Sequence, residues 1–274
     1  MSELSITRLG PEHLDDLLAL SVDREWRHEQ RKWPLLLEIG QTHGIWAPDG
    51  GLAGAVVLTR YDQRLAAIGM VLVARRYNRQ GLGRRLMAHA LAANEGGVTV
   101  LHATAQGKLL YDTLGFRSTA TVMTHVGELA PGAEDLGHSR PFTDADAESV
   151  LALDAAVLGA ERAWLPRFLK FAERVRVVER AGVVTGYGAA WRNVGALVLG
   201  PLVAADLTEA RYLAADLLAG SDLPVRLDLD RPELAEWAAA HGAPESFRTD
   251  HMVHGGDLPG DRSRLFAPAM QAVG

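Results

Sequence analysis

The sequence predicts a mixed α/β protein, of α+β type, made of two tandem copies of one domain, each a central mixed β-sheet flanked by helices. Three observations carry this expectation. Short strand-like apolar runs alternate with helix-period stretches along the whole chain. Two segments, 68–73 and 98–101, are continuously apolar, as central strands buried on both faces are. Short stretches of the first half also recur about 130 positions later, a period that means duplicated domains because solenoid repeats are far shorter. Met123, His125, Gly127 and Leu129 return as Met252, His254, Gly256 and Leu258. Arg31-Lys32-Trp33-Pro34 is answered by Arg162-Ala163-Trp164-Leu165-Pro166, and the glycine turn at 50–56 by 181–187.

Each element follows from its local pattern. Residues 6–9 read as a strand and 13–22 as a helix, with Leu14, Leu17 and Leu18 on one face. Helical character resumes over 26–39 and is expected to break at Pro34. Strands follow at 44–47, 52–60 and 66–73, bounded by turn residues. Then come a helix over 81–93, a strand over 98–103, a short helix over 108–114 and a last strand over 117–126. Pro131, with Gly127, Gly132 and Gly137 nearby, marks 130–139 as an exposed connection. The domains are therefore expected at 1–129 and 138–258. A tail, 259–274, follows, with Leu265, Phe266 and Met270 docking on the surface.

Composition removes several function classes. The chain has 274 residues, 48% hydrophobic and 23% charged, enough to bury cores in two ordinary domains. Its net charge of -6 gives no broad basic footprint for nucleic acid and mildly favours a cationic small molecule. Cysteine is absent, which excludes disulfides, thiolate metal sites and a cysteine nucleophile. The histidines are scattered without ligand spacing, so no metal is expected. Residues 1–11 carry no apolar leader and no run is long enough to span a membrane, so the expected location is cytoplasmic, with no membrane partner.

The most informative stretch is Arg79-Gln80-Gly81-Leu82-Gly83-Arg84, between an apolar strand and a helix. Glycines let the backbone turn sharply and come close to a ligand, leaving amide N–H groups free at the first helical turn. Those amides, the helix dipole and two flanking arginines all favour an anion at one point.

The order of strand 68–73, Tyr77-Asn78-Arg79-Gln80-Gly81-Leu82-Gly83, strand 98–104 and Leu110-Tyr111-Asp112-Thr113-Leu114-Gly115-Phe116 closely resembles the GNAT superfamily of N-acetyltransferases. The resemblance covers 4–128 directly and, through the repeat, a second and degenerate GNAT-like copy. It implies acetyl-CoA as co-substrate, with the pyrophosphate on Arg79, Gln80, Gly81, Leu82, Gly83 and Arg84. The pantetheine arm would pair with the backbone of Val71, Leu72 and Val73 as an added strand does, and the amide near Val71 would polarise the thioester carbonyl. Thr104 and Lys108 lie within reach of the pantetheine or a phosphate. One departure is Asn78, where the family usually has Arg or Gln; that position offers mainly a backbone N–H.

The implied chemistry is direct attack by an amine on the thioester, which suits a chain without cysteine. Tyr111 is the expected general acid, because a phenol with a solution pKa of about 10 stays protonated and can hand a proton to the departing thiolate. For the general base, Asp23 and Glu25 are favoured over His28, Asp62 and His102, since 22–33 would border the acceptor pocket. In the second copy the loop counterpart, 204–212, has no glycine and carries Asp206 and Glu209 where phosphates would sit, and Ala238 stands in the place of Tyr111. That copy is expected not to bind acetyl-CoA productively but to complete the acceptor pocket, support the first copy or form a homodimer interface. The leading expectation is a small-molecule amine N-acetyltransferase; the alternatives are a protein or peptide N-acetyltransferase and a non-catalytic acyl-CoA sensor.

Overall fold

The computed structural model describes residues 5–48 and 50–274; the first four residues of the stretch 1–11 lie outside the described residues. Strand β1 (Ile6–Arg8) leads into α1 (Leu14–Asp23), which buries Leu17, Leu18 and Leu20. The next helix, α2, is Lys32–Ile39, and residues 26–30 are not helical. Pro34 therefore does not break a helix. It sits in the first turn, where its missing N–H has no intrahelical partner to lose.

Strands β2 (Gln41–Trp46), β3 (Leu52–Arg60) and β4 (Leu65–Val73) precede α3 (Leu82–Ala93), β5 (Val98–Ala103), α4 (Ala105–Asp112) and β6 (Arg117–Gly127). Helix α4 begins before the expected position 108 because Thr104 caps it, its Oγ1 accepting from the Gly107 amide at 3.2 Å. The second half repeats the order: β7 (Arg140–Pro141), α5 (Ala147–Leu158), α6 (Leu165–Phe171), β8 (Arg174–Arg180), β9 (Val183–Asn193), β10 (Ala196–Val203), α7 (Leu207–Leu218), β11 (Val225–Leu229), α8 (Pro232–Ala240) and β12 (Glu245–His254). A last strand, β13 (Leu265–Ala267), lies in the tail.

All the strands join one 13-stranded sheet, and its order shows what the linear repeat conceals. Strand β12 of the second half lies between β5 and β6, while β6 of the first half lies between β12 and β11. Each copy thus gives its last strand to the other. In the antiparallel β6–β12 pair, Thr121 faces Asp250, Val122 faces Thr249 and Ala120 faces His251. Thr121 and Asp250 are repeat equivalents, so the register puts a local two-fold at that pair. The two halves repeat the same order of elements, yet in space they interlock.

Side-chain alternation sorts the core into two layers. One contiguous cluster, with Leu17, Trp33, Val150, Phe168 and Trp191, lies under α1, α2, α5 and α6 and runs through both halves. On the opposite face, Leu86, Met87 and Tyr111 pack under α3 and α4, and Leu213, Leu217 and Trp237 under α7 and α8. Among the described residues no helix is long and apolar enough to cross a membrane.

The tail is built into this core. Leu265, Phe266 and Met270 are buried, so the expected surface docking is replaced by full insertion. Strand β13 pairs with β10 through Leu202 and Val203. Further on, the Trp191 indole donates to the Ala269 carbonyl at 3.4 Å, Gln271 Nε2 donates to Asp228 at 3.0 Å, and Tyr61 Oη donates to the Val273 carbonyl at 2.5 Å. Ala272 lies against Gly69 so closely that a Cβ there would come within 2.2 Å of its carbonyl oxygen. Only glycine fits.

Candidate active site

Strands β4 and β5 are parallel neighbours, but their pairing is confined to Leu65–Ala67 against Val98–Val100. Beyond Ala67 they part. A bulge drives the separation: Val57 of β3 pairs with Gly69 while Ala55 pairs with Leu72, and the intervening Met70 adopts a φ of +51°. Past the bulge, Leu72 and Val73 remain bonded to β3 through Ala55 and Gly54. The other edge of 71–73, the segment expected to take the pantetheine, faces the gap.

No side chain caps the loop at the mouth of this gap. Arg79 and Gly81 both have left-handed φ, +61° and +79°, and Gly81 is the N-cap of α3 with no side chain bonded to the turn. A Cβ on Gly81 would meet nothing within 4 Å, so the glycine is needed for its conformation and not for space. Gly83 does the opposite work. A Cβ there would sit 3.3 Å from Leu110 and 3.7 Å from Val73, which holds the start of α3 close to β4 and α4. Arg79, Gln80 and Arg84 are exposed, with Arg84 donating to Thr113 Oγ1 at 2.7 Å and Gln80 to the Arg76 carbonyl at 3.2 Å.

The second half fills both equivalent places with its own groups. At the start of α7, Asp206 accepts from the Glu209 amide at 2.9 Å and Glu209 accepts from the Ala205 amide at 2.9 Å. The buried Glu209 carboxylate is also held by Thr185 at 2.8 Å and Arg180 at 2.6 Å. Strand β10 parts from β11 after Leu199, as β4 parts from β5, and β13 lies along the edge so exposed. An internal strand and two internal carboxylates therefore occupy what the first half leaves open.

Tyr111 lies on α4 against Phe116, at 5.9 Å between ring centroids, on the α3–α4 face of the gap. Burial pushes its hydroxyl up to about 12, and that hydroxyl has no hydrogen-bond partner among the described residues. The Thr104 hydroxyl oxygen serves as the α4 cap, and Lys108 is engaged with Asp112 at 3.1 Å and Ser118 at 2.8 Å.

Asp23 and Glu25 come together at the first turn after β4. Asp23 accepts from the Arg75 amide at 2.7 Å, and Glu25 pairs with the Arg75 guanidinium, which holds its carboxyl below the usual range. Glu25 is 78% exposed there, which makes it a weak and well-solvated base. Arg24 reaches Gln106 at 3.5 Å, so the α1–α2 loop bridges to the start of α4.

On the opposite face from Tyr111 sits His102, on the same side of β5 as Val100 and two residues past the last β4–β5 pair. Both of its ring nitrogens are buried without partners, and burial pushes it down to about 3. His251 of β12 lies 5.2 Å away between ring centroids. Sequence spacing could suggest His102 but not His251, because only the strand exchange makes them neighbours. Among the described residues no group of three or more His, Asp or Glu could hold a metal ion.

A splayed strand pair with an uncapped glycine turn at its mouth offers a free strand edge and free amides to an extended anionic ligand. Residues 41–118 and 150–267 each match an Acetyltransferase (GNAT) domain. The chain belongs to the GNAT acetyltransferase family and carries two of its domains in tandem. It is similar to the uncharacterized N-acetyltransferase YitH of Bacillus subtilis, 26% identical over 277 residues, covering 98% of each chain. Its fold is similar to that of a Pyrococcus horikoshii protein assigned as an acetyltransferase, with a TM-score of 0.85 at 17% identity over 100% of this chain and 97% of that one. It is also similar to a tandem GNAT protein from the clavulanic acid biosynthesis pathway, with a TM-score of 0.62 at 15% identity over 93% and 99% of the two chains.

Proposed function

We propose that the protein is a cytoplasmic, acetyl-CoA-dependent N-acetyltransferase that acetylates a primary amine of a small molecule, with one active site per chain, in the first half. The observation that carries this reading is the contrast between the halves: the edge of 71–73 and the amides at Gly81–Arg84 are open, while their counterparts are filled by β13, Asp206 and Glu209. Acetyl-CoA supplies the activated acyl group as its thioester. The chain's own groups do the rest: the 79–84 loop binds the pyrophosphate, 71–73 offers its backbone to the pantetheine, and the amide near Val71 faces the developing oxyanion. The amine nitrogen forms a bond to the carbonyl carbon as the carbon–sulfur bond breaks. Tyr111 gives its proton to the departing thiolate, and the ammonium proton leaves through Asp23, Glu25 or water.

Arg24 bonds Gln106 at 3.5 Å beside the start of α4 and the tail packs Ala272 on Gly69 of β4, contacts that support a small acceptor over a peptide lying in an open groove. Calorimetric titration of the full chain should give one acetyl-CoA per chain. Gly81→Asp, which sets a negative charge at the anion site and adds a Cβ at a φ of +79°, should weaken that binding by about tenfold or more. Two equivalents bound, or unchanged affinity in the variant, would remove the site. Release of free CoA with a panel of amines tests the transfer itself.

A further inference from the structure

The tail crosses the face of the sheet that lies under α1 and α2, and it ends its path at the vertex of the gap. Gly274 lies against Ala67 and Val100, which belong to the short stretch joining β4 to β5; a Cβ on it would sit 3.2 Å from the Ala67 methyl and 3.0 Å from Val100. Ala272 rests on Gly69, whose pairing with Val57 is the last before the β4 bulge. Within 265–274 every residue is buried except Gln271 and Ala272. The Gln271 amide is tied down by Thr124 at 3.2 Å and Asp228 at 3.0 Å, and Met270 and Val273 on either side belong to the core. Ala272 is therefore the residue that a firmly held tail shows to solvent beside the point where the strands part.

That position bears on the amine. Tyr111 stands on the α3–α4 face, which leaves the face under α1 and α2 for the acceptor. The Val71 amide lies two residues beyond Gly69, at most about 7 Å along a strand. A reacting nitrogen sits about 3–3.5 Å from the carbonyl carbon it attacks. The carbon that carries this nitrogen must then lie between the acetyl group and Ala272. A second substituent on that carbon would press on the tail, which cannot yield without pulling Met270 and Val273 from the core.

We propose that Ala272 is a specificity-determining residue and that the acetyl acceptor is a primary amine carried on a methylene, R–CH2–NH2, with amines on branched carbons excluded. This rests on the transferase reading above and narrows its substrate class.

The test uses the full chain with acetyl-CoA and matched amines that differ in branching beside the nitrogen, propylamine with isopropylamine and benzylamine with α-methylbenzylamine, and reads free CoA. At least one unbranched amine should exceed its branched partner in kcat/KM by about tenfold or more. Ala272→Gly should narrow that ratio by lowering the KM of the branched amine. Ala272→Leu should raise the KM of the unbranched amine about tenfold while the acetyl-CoA affinity holds. A merely structural Ala272 would instead lower the melting temperature in Ala272→Leu and leave the ratio unchanged in Ala272→Gly, and the assignment would fall. Calorimetry with the same pairs at saturating CoA reads binding without chemistry. A preference for unbranched amines in binding that Ala272→Gly narrows, with no CoA released from acetyl-CoA, would keep the site and sink the transferase reading. Equal turnover of branched and unbranched amines, or no amine bound at all, would overturn the inference.

Discussion

Asp154→Ala should destabilise the protein by about 3–5 kcal/mol, because it leaves a charge buried without its counter-ion. Asp154 on α5 and Arg162 beyond that helix are both fully buried, with Arg162 Nε donating to Asp154 at 2.9 Å and Arg162 Nη2 to the Tyr187 hydroxyl at 3.0 Å. Tyr187 Oη donates in turn to Asp154, closing a three-membered network. The guanidinium also lies 4.9 Å from the Trp164 ring and 5.9 Å from that of Tyr61, which belongs to the first half. The network therefore ties α5 and β9 to the β3–β4 corner, and its loss should be felt across both halves. Urea unfolding followed by circular dichroism measures it through the midpoint. The double variant Asp154→Ala, Arg162→Met should recover much of the loss, because it removes both charges and leaves an apolar stem. A single-variant cost below about 1 kcal/mol would mean that water already solvates Arg162.

The strands and helices of each copy were legible because their signals are local. The glycine loop, the apolar run at 68–73 and the leucine face of α1 each lie within one or two turns of chain. Helix α2 differs from the expectation because Pro34, a breaker in a helix interior, is compatible with the first turn it occupies. The strand exchange left no local mark. Strands β6 and β12 have the same apolar alternation whichever neighbour they pair with, and the repeat that reveals two copies says nothing about which copy holds each last strand. One physical consequence follows for any isolated half: a cut within 130–139 separates β6 from β11 and β12 from β5.

The proposed site was legible in its glycine loop and hidden on the face of β5 that carries His102. Gly81 and Gly83 carry different burdens, conformation and close packing, yet both read as glycine in the right place. His251 is far from His102 in sequence and comes beside it only through the strand exchange. The tail supplies β13, so the proposed lack of a second cofactor site rests on two layers: missing glycines, which the sequence displays, and a filled edge, which it does not.

Tyr111→Phe should lower kcat by about 100-fold while leaving the acetyl-CoA affinity nearly unchanged. The substitution is unusually clean. The ring keeps its contact with Phe116, and the hydroxyl has no hydrogen-bond partner among the described residues, so its removal orphans nothing and stability should hold. What is lost is the proton. Burial raises the hydroxyl to about 12, which keeps it protonated across the whole working range, so Tyr111 should contribute no alkaline limb to a pH–rate profile below about pH 10. Any basic-side fall in that range must belong to another group. Steady-state kinetics of the two proteins, with free CoA as the readout, separate the possibilities. A kcat equal to wild type would leave Tyr111 as a packing residue and move proton delivery to water.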